Sequence, residues 1–577
     1  MNHAGTWWLK GAWIELGIEK ALVKVIETAC QAYRAESHAP LRILTHDRAV
    51  LVRKNETLAF LPMFAGMTRP CHLDTYTDAG LGWLTETPWT YRGMTMELYL
   101  DELTCLKIAA SLGQTLARCY WRAWYEQGNI ADGHVFYMDM HDKVIWTDTP
   151  SPVGFVSALH EIRACLKQTF IHGRGGHALF CKTYPADTHL SEVVVEVAQA
   201  LDQAIGQAII QVLVTDREGL AVDVIQALTR KNKAFVTLLK ANQYAGEADF
   251  VRRGRFRDLR DARTGHVTHR IADADFRLAA GHEVRAALIY DLGHPEDLIA
   301  LITTVSREQV ADIRRIVGWY LARWNVQENS FRAQIAFVQL NTNFGLRAKR
   351  AVPDRRVAKK ITDLSRHLEA VIHKLENKVP QLALQEQWFQ DLLARYDQQM
   401  ASFLRPARRH GPQAARRATQ RAQRQQAYQQ RHQQRLLNYL NRKTKLEGEI
   451  EAHRHEQTRV VQELSQLDPQ AKFFEVDTEK DQIVAHLRIG LHNSALWGRD
   501  QFFGARYRHA TPLTLWRTFF NQNGFYHETV ERIVITLRPF VDPHVHQEAI
   551  TACRRFTEHQ IKTLSGKVIE MRVADCI

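Results

Sequence analysis

Ile209-Ile210-Gln211-Val212-Leu213-Val214-Thr215-Asp216-Arg217-Glu218-Gly219 decides how the middle of this chain is read. Its β-branched run is too short for a helix and too apolar for an edge, so it reads as a buried strand that stops at Thr215-Asp216. A helical stretch, Ser191 to Ile205, precedes it; a helix, Leu220 to Leu228, and a strand, Ala234 to Leu239, follow. Strands alternating with helices of this length read as an α/β layer.

Working outward, Val135-Phe136-Tyr137-Met138 and Val144-Ile145-Trp146 flank a polar stretch and predict a β-hairpin. Residues 243–287 are rich in Arg, Asp and Gly, as in Arg252-Arg253-Gly254-Arg255-Phe256-Arg257, and predict a β-rich insertion. Strands resume at Ala286 to Tyr290 and Leu298 to Thr303, before a helix N-capped by Ser306 that runs past Trp324. His172-Gly173-Arg174-Gly175-Gly176-His177 lacks the Lys-Ser/Thr of a nucleotide loop and reads as a flexible connection. Residues 1–128 form an N-terminal region with a helix from Glu97 to Tyr125, and 471–577 a mixed C-terminal region with a strand at Ile533 to Leu537.

Heptad spacing marks residues 351–470. Val357, Ile361, Leu364, Leu368, Val371 and Leu375 repeat before Pro380 interrupts them; Leu436, Tyr439, Leu446, Ile450, Val460, Leu464 and Leu467 resume the period. Two antiparallel helices fit this pattern. Between them, residues 401–440 hold nine arginines, Arg408, Arg409, Arg416 and Arg417 among them, and no Asp or Glu. The 577-residue chain carries a formal net charge of +13, so nine of those charges lie on this arm. Arginines without compensating acids favour phosphate, and the arm predicts salt-dependent nucleic-acid binding, a solvated linker being the bland reading. Nine aromatics interleaved with arginines between Trp497 and Tyr526 suit either base stacking or a small aromatic core.

No apolar stretch reaches the length of a membrane span, and no signal-peptide pattern opens the sequence, which points to the cytoplasm. Eight scattered cysteines without a C-x-x-C pair predict reduced, buried thiols rather than a disulfide frame or zinc site. The 27 histidines show no H-x3-H or H-E-x-x-H pattern.

Three acids stand out by position: Asp139 and Asp216 at strand ends, and Glu328 on the long helix, with Asp142 and Glu218 close enough to compete for the first two assignments. Converging carboxylates suit hard divalent cations and phosphoryl transfer. Taken singly, each acid reads as a turn, cap or solvated residue.

Tyr320-Leu321-Ala322-Arg323-Trp324-Asn325-Val326-Gln327-Glu328 resembles the signature around the last acid of DDE insertion-sequence transposases, Y-x2-R-x3-E-x6-K. Tyr137-Met138-Asp139 and Val214-Thr215-Asp216-Arg217-Glu218-Gly219 resemble the family's first and second acid blocks, and Phe473 to Asp500 resembles the tails of some large unclassified bacterial transposases. The resemblance implies an α/β ribonuclease-H-like catalytic core over 129–350, interrupted by the insertion. It implies Asp139, Asp216 and Glu328 as catalytic residues and ligands of Mg2+, with Mn2+ as a substitute. Tyr320, Arg323, Trp324 and Arg332 would contact DNA. The partners implied are double-stranded DNA at the element's ends and target, with a homodimer compatible, in a bacterial, nucleoid-associated setting. A decayed copy that only binds DNA, or a coiled-coil nucleic-acid scaffold, are the alternatives.

Two positions depart from the signature. Four residues, not three, separate Arg323 from Glu328, and on an ideal α-helix the extra residue turns Glu328 about 100° further round from Arg323. Ile335 stands where the Lys would fall, leaving Arg332 to supply that charge.

Overall fold

Val212–Thr215 is a strand with all four residues buried, and it sits in the middle of a mixed eleven-stranded sheet. In the computed structural model the strands are β1 (Val135–Val144), β2 (Val153–Val156), β3 (Glu161–Gly173), β4 (Ala178–Pro185), β5 (Val212–Thr215), β6 (Ala234–Leu238), β7 (Phe250–Arg252), β8 (Arg257–Arg260), β9 (Val267–Arg277), β10 (Glu283–Asp291) and β11 (His294–Thr303). Every residue is described except 38, 127, 129, 147–150, 262–263, 279–280, 345–347, 354, 405–411 and 576–577. The chain divides into two compact units, Met1–Lys349 with Glu475–Ile577, and Arg350–Phe474.

The strand order is β2-β3-β1-β5-β6-β11-β10-β9-β7, with β4 also on β3 and β8 on β9. β1, β3 and β4 run antiparallel, while β5 lies parallel to β1 and β6 parallel to β5. Parallel neighbours need crossovers, supplied by the helices Leu190–Ile205 and Val222–Arg230. Alternation along the strands sends Val135, Tyr137, Val212 and Val214 to one face, against Ile316, Val317 and Trp319 of the helix Ile313–Arg323. Phe136, Met138 and Leu213 face the other way, in the core that includes Val194, Val197 and Leu201.

Four local expectations change. The hairpin predicted within 135–146 is one straight strand, paired with β3 from Phe136↔Gly173 to Val144↔Cys165. The polar residues that suggested a turn are held by distant partners: Asp142 accepts from Lys167 (2.5 Å), and Lys143 forms a buried ion pair with Asp481 (2.5 Å). Gly173 to His177 is a tight β3–β4 turn, with Gly176 at φ +82° and the Gly173 amide donating to the His177 carbonyl (3.0 Å). The helix expected from Glu97 to Tyr125 is two, Gly93–Cys105 and Ala109–Trp124, separated at Lys107, whose φ is +51°. The helix expected from Ser306 begins at Ile313, capped by Asp312, whose carboxylate accepts from the Arg314 amide (3.0 Å).

The inserted strands extend the main sheet through β11, whose Leu301 pairs with Leu238 of β6. The N-terminal helices and the C-terminal segment share the first unit with this sheet. Lys480 to Ser494 of the helix Glu479–Phe502 is continuously buried. Phe502, Phe503, Phe519 and Phe520 are buried, with Trp8 5.4 Å from Phe503, so this part of the aromatic window is core rather than a stacking surface. Cys30, Cys165, Cys181 and Cys553 are buried free thiols, while Cys71 and Cys105 are exposed and Cys576 lies outside the described residues.

The second unit is built on two long helices, Arg355–Leu404 and Pro412–Ser465. They pair antiparallel, with Phe389 stacked on Tyr439 (4.1 Å) and Tyr396 on His432 (3.9 Å). Pro380 lies inside the first helix rather than ending it. Arg416 and Arg417 are exposed on the second; Arg408 and Arg409 lie outside the described residues. Among the described residues no helix is long and apolar enough to cross a membrane.

Candidate functional site

Parallel pairing of β1 with β5 fixes the first two acids. Met138 is in register with Thr215, so the next residues, Asp139 and Asp216, stand side by side on neighbouring segments of the sheet. Asp139 lies within β1, paired with Phe170 of β3, not at a strand end as its sequence context suggests. Asp216 does end β5, and its Oδ1 accepts from the Arg217 amide (2.8 Å) at the head of a short 3-10 turn.

The third acid arrives on the helix. Trp324–Glu328 forms a π-turn between the α-helices Ile313–Arg323 and Asn329–Val338, with the Asn329 amide bonded back to the Trp324 carbonyl. A π-turn absorbs one extra residue without changing which face its two ends share. The extra 100° of rotation expected from the added residue is therefore cancelled, and Arg323 Nη2 lies 4.0 Å from Glu328 Oε1.

One guanidinium gathers all three carboxylates. Arg323 Nη1 donates to Asp139 Oδ2 (3.0 Å), and Nη2 lies 3.9 Å from Asp216 Oδ1. The side chains are 18% (Asp139), 31% (Asp216), 31% (Glu328) and 13% (Arg323) exposed, so solvent screens the cluster only partly. Burial pushes the Asp139 carboxyl up to about 7, Asp216 and Glu328 adding to the rise, while Arg323 and the Met140 amide oppose it. Burial works against the charge on Arg323, yet Asp139, Tyr320, Asp216 and Glu328 together raise its pKa. Arg323 also lies over the Tyr320 ring (5.7 Å), whose hydroxyl burial pushes up to about 12.

The competing acids are accounted for. Asp142 points to the other face of β1, where it pairs with Lys167, and Glu218 is exposed within the 3-10 turn Arg217–Gly219. Arg332 does not join the carboxylates; its guanidinium lies 5.4 Å over Trp324, which is 55% exposed. Ile335 packs against the hydrophobic core, so that position faces away from solvent chemistry. Sequence reading missed the polar support behind Glu328: Ser330 Oγ donates to the Gly176 carbonyl (3.1 Å), and Gln334 Nε2 donates to Ser330 Oγ (3.0 Å) and lies 3.3 Å from His172 Nε2. The i, i+4 spacing of Ser330 and Gln334 was the available signal, but their partners come from β3 and its turn.

Among the described residues no three His, Cys, Asp or Glu side chains stand together as a ready metal shell. The donor set nevertheless suits a hard cation: three carboxylates from separate elements already converge on one positive charge, and all their donor atoms are oxygens. Arg323 lies within 4.0 Å of all three carboxylates.

No protein-family model matches the chain, and no curated protein matches its sequence. Among solved structures, the cryo-EM structure of a piggyBac transposase synaptic complex with hairpin DNA is similar over 58% of this chain and 68% of that chain, at 9% identity and a TM-score of 0.29. At that depth the likeness bears on neither residues nor activity.

Proposed function

We propose that this chain is a DNA transposase that cuts and joins strands at the ends of a mobile element by metal-dependent phosphoryl transfer. The observation that carries the reading is the convergence of Asp139, Asp216 and Glu328 within 4.0 Å of one guanidinium, made possible by a π-turn at the residue where the signature spacing departs. The order β4-β3-β1-β5-β6, antiparallel then parallel, supports a ribonuclease-H-like core with the carboxylates of β1 and β5 on adjacent strands.

In this reading Asp139, Asp216 and Glu328 hold Mg2+ or Mn2+, which, when bound, activates the attacking oxygen and stabilises the leaving one. Water attacks a phosphodiester at the element's end, the bond to the 3′-oxygen breaks, and a 3′-hydroxyl and a 5′-phosphate result. That hydroxyl then attacks a target phosphodiester, displacing its 3′-oxygen. Tyr320, Arg323, Trp324 and Arg332 would meet the DNA backbone, Trp324, 55% exposed, being the more open of the aromatic pair. The arginine arm, Arg408, Arg409, Arg416 and Arg417 included, would grip duplex DNA, with a homodimer on paired ends in a bacterial cytoplasm.

The second reading is a DNA-binding protein that no longer cuts, favoured by Arg323 sitting among the acids. Incubating the protein with DNA carrying the element's ends and Mg2+ separates the two. Strand cleavage lost in Asp139→Asn, Asp216→Asn and Glu328→Gln supports the first; cleavage retained in these variants, or none by the unaltered chain, overturns it.

A further inference from the structure

Beside the acid cluster lies a cavity of about 1070 Å³, with Arg174, His177, His492, Arg499 and Arg508 in its wall. Asn325, Val326 and Asn329, from the π-turn that ends in Glu328 and the first position after it, close another side. The volume exceeds the roughly 300–1,000 Å³ usual for small-molecule sites.

Its floor contains polar atoms that lack partners. Among the described residues, His177, 3% exposed, has no hydrogen bond to either ring nitrogen, and His492, 1% exposed, has none to its Nδ1. Leaving a buried polar atom unpaired is costly, and that cost is recovered when a ligand supplies the partner. The His177 ring is stacked on Trp124 (3.9 Å, 27° between planes), which fixes the direction its nitrogens face.

The charged groups are arranged in advance. Arg174 donates to the Tyr137 hydroxyl (3.0 Å), and Arg499 is held by Asp500 (2.8 Å) and the Ala510 carbonyl (3.3 Å). Arg508 and His509 are exposed at the rim with Asn325 and Asn329. Two carboxylates also line the cavity: Asp500, committed to Arg499, and Asp261, which accepts from the Thr264 amide (2.7 Å). Arg174 also lies 3.9 Å from Asp132 and Arg499 is paired with Asp500, so Arg508, exposed at the rim, is the guanidinium most open to an anion, and the exposed amides and buried imidazoles offer donors and acceptors to something with polar edges. A duplex could bring phosphates to the rim, but its paired base edges could not reach a floor this buried.

We infer that this cavity binds a single-stranded segment of DNA, a phosphate on Arg508 and its unpaired bases against Asn325, Asn329 and the two imidazoles. The choice of DNA as the polymer rests on the proposed reading of the acid site, and the cavity adds the single-stranded form.

The test is fluorescence anisotropy with the full-length protein in EDTA, on an Asp139→Asn background, using a labelled thymidine decanucleotide and a duplex of equal length. Arg508→Gln and Asn329→Ala are expected to weaken single-strand binding about fivefold or more while duplex binding stays within about twofold, the size of losing one phosphate or base contact. Arg554→Gln, an exposed arginine outside the cavity, controls for charge. Thermal melts matching the parent keep misfolding out of the comparison. Unchanged single-strand affinity in both variants, equal losses for strand and duplex, or full displacement of the decanucleotide by an equimolar mononucleotide each overturn the inference. Because no cleavage is measured, failure of the acid site to cut leaves this result readable on its own.

Discussion

Arg323 and Glu328 are five positions apart, yet Nη2 and Oε1 lie 4.0 Å from each other because the residues from Trp324 to Glu328 form a π-turn. Such a turn behaves as a one-residue insertion in an α-helix. Deleting the exposed Asn325 should convert it to a regular helix with both flanks in register, lowering stability by no more than about 1–2 kcal/mol. Deleting the buried Ala198 from the regular helix Leu190–Ile205 turns all that follows by about 100° and should prevent folding. Circular dichroism melts of the two deletion variants check this; equal damage from both would refute the insertion account.

Arg323 is the counter-charge for three acids. Arg323→Gln should therefore destabilise the metal-free protein by about 1–3 kcal/mol, reduced from the fully buried case because the cluster is part-exposed. Excess Mg2+ should raise the melting temperature of this variant more than that of the parent, since no cation then competes for the carboxylates. Differential scanning calorimetry with and without Mg2+ decides it, and an equal rise in both proteins counts against that competition.

Lys143 and Asp481 form an ion pair with side chains 1% and 2% exposed, and Gln168 Nε2 donates to the same carboxylate (2.7 Å). Asp481→Ala leaves an ammonium buried and should cost about 3–5 kcal/mol. Replacing both, Lys143→Met with Asp481→Leu, should recover most of that loss. Urea unfolding of the single and double variants measures the difference.

Three buried histidines set an acid limit. Burial lowers His172 to about 3, His486 to about 4 and His492 to about 3, against 6.5 for a free side chain. A folded-state value below the unfolded one means the unfolded chain takes up protons first as pH falls. Stability is thus full above about pH 6.5 and declines below it, by up to about 1.4 kcal/mol per pH unit for each histidine. Melts between pH 7 and pH 4.5 should show this slope, and His486→Gln should flatten it.

Arg416 and Arg417 are exposed on the second long helix. Changing both to Gln should weaken duplex binding at every sequence tested and reduce the slope of log K against log salt by about 1.8, at about 0.9 per lost phosphate contact. Titrations across a salt series read it directly.

Periodicity made much of the secondary structure legible. The run from Val212 to Thr215, the helix after His189 and the paired long helices all follow from local patterns, because burial of one face imposes a period on the sequence. The straight course of β1 was not legible: its polar residues are satisfied by Lys167 and Asp481, the latter 338 positions from Lys143. The aromatic window was equally ambiguous, since only packing against Trp8 distinguishes core from stacking surface.

The acids' types, their order along the chain and the strand and helix that carry Asp216 and Glu328 are written in local pattern. Their meeting is a property of the folded chain. Parallel pairing of β1 and β5 sets Asp139 beside Asp216, and the π-turn returns Glu328 to the face of Arg323. The reason is physical: side-chain periodicity is a local property of the backbone, whereas convergence depends on register between strands and on a helix defect, both fixed by packing across long sequence separations.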